Sequence, residues 1–152
     1  MLLPIIFNFV FEGRPKVQKN DLVIRKGKGG RPFVAHSNKL GDVRKEITKA
    51  AYEQFIEQGG TDPIDYLCEV YFKFFCTKQW EPDLDNLPAI VLDAIQGTVV
   101  TRQKKKVRVN QVLLDDKLVR FEQSEKILKG DAKYDGEPRT EFTIRRYEPE
   151  AH

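Results

Sequence analysis

Cysteine, histidine and methionine are nearly missing from this 152-residue chain, which holds two, two and one of them. Cys68 and Cys76 fall in one apolar run, eight residues apart. An extended strand would point both thiols the same way yet hold them far beyond bridging distance. A secreted disulfide framework is excluded, and buried thiols in a reducing cytoplasm are expected. His36 and His152 have no partner at metal-ligand spacing, so no zinc site is read. There is no P-loop, no dinucleotide fingerprint and no CxxC pair. Long hydrophobic runs are missing too. MLLPIIFNFVF at residues 1–11 is apolar, but it is too short to cross a bilayer and lacks a basic leader and a small-residue cleavage site. It reads as a strand, and no membrane partner is expected. Internal repeats, long linkers and low-complexity segments do not occur. With 40% hydrophobic residues, a single domain over 1–152 can bury its own core.

Acidic residues are scarce in two places. The net charge is only +3, but between Gly13 and Lys39 the sole acid is Asp21, against Arg14, Lys16, Lys19, Arg25, Lys26, Lys28, Arg31 and Lys39. Residues 102–108, RQKKKVR, carry Arg102, Lys104, Lys105, Lys106 and Arg108 and no acid. The segments 13–32 and 98–112 are therefore expected to be basic loops, the first with the option of a hairpin tip at RKGKGGRPF and the second with that of a small ribbon. Brought together by the fold, they could face phosphates. In isolation such runs are more often solvated loops.

What remains has clear periodicity. Ile5, Phe7, Phe9 and Phe11 alternate with Ile6, Asn8 and Val10, which is a strand buried on at least one face. Leu40, Val43, Ile47, Ala50, Ala51 and Phe55 recur at helical spacing until Gly59-Gly60, so a long helix capped by Ser37 or Asn38 is expected there. YLCEVYFKFFC at 66–76 puts Cys68, Val70, Phe72, Phe74 and Cys76 on one side of a central strand and Glu69, Tyr71 and Lys73 on the other. A second helix follows, with Leu87, Ile90, Val91, Ala94 and Ile95 as its apolar stripe, Pro88 in its first turn and Gly97 beyond its end. Strands are expected over roughly 118–128 and 139–147. The fold class is α/β in the broad α+β sense: a mixed β-sheet with helices packed on it.

The chemistry concentrates in EPDLDNLPAIVLDAI, residues 81–95. Capping the helix needs one carboxylate at most, yet Asp83 and Asp85 bracket Leu84. In an extended chain both would face one side while Leu84 turns to the core. Two such carboxylates suit a hard cation such as Mg²⁺, which takes oxygen ligands and keeps waters for a substrate phosphate. The one adjacent acidic pair, Asp115-Asp116, follows Leu113-Leu114. Neighbours in an extended chain point oppositely, so at most one of the two is expected to join Asp83 and Asp85. Three carboxylates are a common minimum for metal-assisted phosphodiester cleavage. Asp93 reads as a helix polar face or a supporting residue, and Trp80 as a core or rim aromatic.

PDLDNLPAIVLDAI followed by LLDD resembles the RusA-type Holliday junction resolvases, small homodimeric endonucleases marked by an Asp-Leu-Asp-Asn-Leu run, an Asp-Ala helix and a downstream Leu-Asp-Asp. Element order matches over most of the chain, and residues match over 83–95 and 113–116. The resemblance implies a RusA-like fold and a metal site of Asp83, Asp85 and Asp116, with Asn86 supporting the turn and Asp115 beside it. It implies Mg²⁺, with Mn²⁺ as the alternative ion, and a homodimer whose face the Phe-rich strand or the first helix could supply. The expected activity is paired nicking of four-way DNA junctions, with Arg102, Lys104, Lys105, Lys106, Arg108 and Lys78 on the DNA. Two departures stand out. The family's lysine six residues after its first aspartate is here Ala89, with Lys78 the first candidate to replace it. The spacer before LLDD is longer and holds RQKKKVR. The alternative reading is a branched-DNA-binding module of the same fold that cuts weakly or not at all.

Overall fold

In chain order the elements are β1 (Ile6–Glu12), β2 (Leu22–Lys26), β3 (Pro32–His36), α1 (Asn38–Glu57), β4 (Cys68–Cys76), α2 (Leu87–Ala94), β5 (Thr98–Arg102), β6 (Lys105–Val109), β7 (Val119–Leu128) and β8 (Arg139–Arg146). The computed structural model describes residues 6–15, 22–36, 38–77, 84 and 87–151. Four strands form one mixed sheet in the order β1-β8-β4-β7. β8 runs antiparallel to both its neighbours, and β4 and β7 are parallel. Parallel neighbours need a crossover, and the stretch from α2 through residue 118 supplies it. The basic segment RKGKGGRPF sits at the turn of the antiparallel β2–β3 hairpin.

Alternation in β1 is strict: Phe7, Phe9 and Phe11 are buried and the residues between them exposed. The register places Phe9 opposite Phe142 and Phe142 opposite Phe72. Their rings stack at centroid separations of 5.5 and 4.6 Å, and Phe74 continues the row 5.3 Å from Phe72. Phe7 meets Phe55 of α1 at 4.8 Å. This aromatic row ties three strands and a helix into one core, with α2 adding Leu87, Ile90 and Val91. The phenylalanines of β1 are thus used within the chain, while Ile6 and Val10 on the other face of the strand are exposed.

α1 ends as its sequence predicts. Gly59 N–H bonds the Ile56 carbonyl and Gly60 N–H the Phe55 carbonyl, with Gly59 at φ +91°, the left-handed stop that favours glycine. Two glutamines four residues apart, Gln54 on α1 and Gln58 just past its end, then cover the outer edge of β1. The Gln54 side chain accepts from Val10 N–H (2.8 Å) and donates to its carbonyl (3.0 Å). Gln58 does the same at Asn8 (2.9 and 2.6 Å). Each carboxamide occupies the hydrogen bonds a neighbouring strand would take, which removes an edge open to strand addition.

The face of β4 away from the core holds a buried charge. Glu69 is fully buried. Its carboxylate accepts from Arg145 Nε at 2.5 Å, from Tyr71 Oη at 2.8 Å and from Glu148 N–H at 3.3 Å. Arg145 also donates to Tyr71 Oη and lies over its ring. Beside this carboxylate, burial first and the Glu69 charge second push the Cys68 thiol up to about 11. Both cysteines are free and buried, as expected.

Candidate functional site

Residues 112–116 are strapped to the end of α2. Val112 and Leu113 N–H both bond the Ile95 carbonyl, at 2.9 and 3.0 Å, and Leu114 N–H bonds Ile64. Val112 and Leu113 are fully buried while Leu114 is half-exposed, so Leu113 is the anchor of the pair. The chain then turns through a single 3₁₀ turn, Asp116–Leu118, into β7. Asp115 is the N-cap of this turn, its Oδ1 accepting from Lys117 N–H at 2.9 Å. That bond chiefly, aided by the Asp116 side chain and by the charges of Lys117 and Arg108, holds Asp115 below the usual carboxylate range. Asp116 is exposed at the head of the turn. Asp115 is thus committed to the turn, while Asp116 is exposed beside it.

The second basic segment is a ribbon. β5 and β6 pair from Thr98–Val109 to Arg102–Lys105. Gln103 and Lys104 at the tip both have positive φ, +50° and +63°, the geometry of a two-residue type I′ turn that matches strand twist. Every side chain from Thr101 to Arg108 is exposed. Arg102, Lys104, Lys105, Lys106 and Arg108 thus project from a defined arm. The arm is hinged at its base to the same α2 end that holds the Asp115–Asp116 strap. Arg108 donates to the Gln96 carbonyl at 3.3 Å, and Gly97 has φ +89° with the Val109 carbonyl so close that a Cβ would collide with it.

Arg44 of α1, which the sequence does not single out, locks this junction from below. Its Nε meets Asp93 Oδ2 at 2.6 Å and its Nη2 donates to the carbonyls of Asp93 (3.3 Å) and Gly97 (3.1 Å). Thr48 adds a bond to the Ala94 carbonyl. A cation at the C-terminal end of a helix satisfies orphan carbonyls and faces the negative end of its dipole. Asp93, left open between a polar face and a supporting residue, is the ion-pair partner in this clamp.

Asp83, Asp85, Asn86, Lys78 and Trp80 lie outside the described residues. Leu84, between the two aspartates, is half-buried and packs on the core, but it sits in a 3₁₀ turn and not in the extended chain from which a shared side for the two aspartates was read. Leu87 begins α2 at the helix end opposite Ile95, where the Asp115–Asp116 strap is tied; eight residues at ~1.5 Å each make that helix about 12 Å long. Ala89 is exposed on it, so a longer side chain has room there. Among the described residues no group of three His, Cys, Asp or Glu side chains is placed to hold a metal ion. Among the described residues, too, no helix is long and apolar enough to cross a membrane. Compared with known proteins, the chain matches no family model and no curated protein sequence.

Proposed function

We propose that this protein is a Mg²⁺-dependent, structure-selective endodeoxyribonuclease of the RusA type that resolves four-way DNA junctions. The observation that carries the reading is the exposed, acid-free β5–β6 arm standing on the same α2 terminus as the exposed Asp116. Five cations on a rigid ribbon suit a polyanion, since each phosphate they meet releases condensed counterions.

Asp83, Asp85 and Asp116 would hold the ion, and their donor set of carboxylate oxygens is the one a hard divalent cation takes. When bound, Mg²⁺ supplies neutralising charge at the scissile phosphate and lowers the pKa of water. The chain's own residues do the remainder. Lys104, Lys105, Lys106, Arg102 and Arg108 grip the sugar–phosphate backbone of an arm, and Asp115 keeps the turn that orients Asp116. A junction with two-fold symmetry needs two matched cuts, which a C₂ homodimer delivers from two identical sites. Work in the cytoplasm fits the two free thiols.

The test is cleavage of a labelled junction by variants. Asp83→Asn, Asp85→Asn and Asp116→Asn each abolish nicking in Mg²⁺ while retaining junction binding, and Asp115→Asn gives a milder loss. Normal cutting by all three would remove the site. A binding module is the second reading, favoured by one feature: α2, LPAIVLDA, carries no cation, so nothing on it replaces the lysine that the resemblance leads one to expect at Ala89.

A further inference from the structure

Two further arginines stand at the sheet end that carries Asp115 and Asp116. There β8 finishes while β4 and β7 begin, with Arg146 opposite Cys68 and Cys68 opposite Val119. The β4–β7 register shifts between Cys68 and Glu69: Val119 faces the first and Phe121 the second. Arg120 is the extra residue of this bulge. A bulge re-aims the side chain it carries, and here Arg120 shares one open cleft with Arg146, lined also by Leu67, Tyr147 and Pro149 and about 490 Å³ in volume. That is within the size of small-ligand sites, roughly 300–1,000 Å³.

Each guanidinium is held by an aromatic ring. Arg146 lies 4.0 Å from the centroid of Tyr66 and Arg120 lies 5.8 Å from that of Tyr147. A ring this close restricts the Arg146 fork, so less rotamer freedom is lost when its donors meet a bidentate acceptor, and the longer Tyr147 contact restrains Arg120 less. Among the described residues neither arginine has an acidic partner in an ion pair. Both are exposed. The same cleft presents apolar side chains, Leu67 44% exposed and Pro149. Two planar forks flanking an apolar patch match a phosphodiester with its sugar against leucine and proline.

We infer that the Arg120–Arg146 cleft is a second DNA-backbone subsite, gripping phosphates of a strand whose neighbouring part passes Asp116. The inference rests on the reading of DNA as the substrate, though not on cleavage. Arg120 lies four residues from Asp116 in sequence, and the lysine arm rises from the strap just before it. The chain thus offers phosphate donors from two separate elements around one carboxylate.

The Nε–H resonances of the two arginines, assigned with Arg120→Lys and Arg146→Lys, report on the cleft directly. Adding a short DNA duplex to the whole protein without metal moves both. Inorganic phosphate at the same phosphate concentration leaves them in place. In parallel, the Arg120→Ala/Arg146→Ala double variant binds a four-way junction with a salt slope about 1.8 units shallower, at ~0.9 for each phosphate left without its arginine. An unchanged thermal midpoint shows that the fold persists. DNA that binds and shifts the Lys104–Lys106 amides while both arginine signals stay put overturns the cleft and leaves the nuclease reading intact. Equal shifts with inorganic phosphate overturn its assignment to DNA. A protein that binds no DNA sinks both readings, whereas binding at the cleft without any nicking removes only the enzyme.

Discussion

Single residues divide here into those that hold the frame and those that face outward, and position in the pattern does not always say which. Glu69 occupies the polar side of β4 by alternation, yet it is fully buried because Arg145, 76 positions later, reaches it. Removing one partner of a buried pair strands the other charge. Arg145→Ala is therefore expected to cost roughly 3 kcal/mol, the low end for buried pairs because Arg145 keeps about a third of its side chain in water. The thermal midpoint then falls by about 6–12 °C, at ~2–4 °C per kcal/mol for a chain of this size. Glu69→Gln drops the charge, keeps the two bonds that Oε2 accepts and gives up the one from Glu148 N–H, so it should lose less; equal losses would mean that the charge and the Arg145 bond have no part in it. The same limit on sequence reading applies to Asp115 and Asp116. In an extended chain the two would point oppositely, but Asp116 starts a 3₁₀ turn and its side chain acts on Asp115, and only the Lys117 N–H on Asp115 Oδ1 shows which one is committed to the turn.

At the scale of elements, most of what the periodicity predicts is present: β1, α1, β4 and α2 lie where period-2 and helical spacing put them, and Pro88 sits in the first turn of α2. Short-range patterns suffice because one buried face per element imposes them. The β5–β6 ribbon was legible only as one of two options, since its register depends on a Gln103-Lys104 turn with positive φ at residues that do not advertise it. As a defined arm it makes a sharper prediction than a loop would. Replacing Lys104, Lys105 and Lys106 by Ala should weaken junction and duplex binding alike and lower the salt slope by about 2–3 units; an unchanged slope returns the arm to simple solvation. Gly97→Ala tests its seat. The positive φ and the Val109 carbonyl leave no room for a Cβ, so the variant should lose about 1–3 kcal/mol in a denaturant titration. It should also bind DNA less well although no cation was removed. Full stability would show that the base of the arm gives way freely.

Over the whole molecule, the strand order β1-β8-β4-β7 lay beyond periodicity, because it is set by pairings between segments as distant as β1 and β8. The Gln54 and Gln58 cover over β1 was equally hidden: two glutamines on a helix look like solvated polar face until the strand they meet is known. That cover closes the β1 edge, while the outward Ile6 and Val10 of the strand stay exposed. The candidate site is legible in its parts, with Asp116, the lysine arm and the α2 strap placed by the structure and Asp83 and Asp85 named by the DLDN run alone. The central claim is that this frame cuts branched DNA, and one measurement meets it directly. A labelled four-way junction and a matched linear duplex are incubated with the wild-type protein, with and without Mg²⁺, and the strands are resolved on a denaturing gel. The account predicts paired nicks in the junction, only with the ion, and little cutting of the duplex. A junction that is bound but left whole over a range of Mg²⁺ and Mn²⁺ concentrations would contradict it.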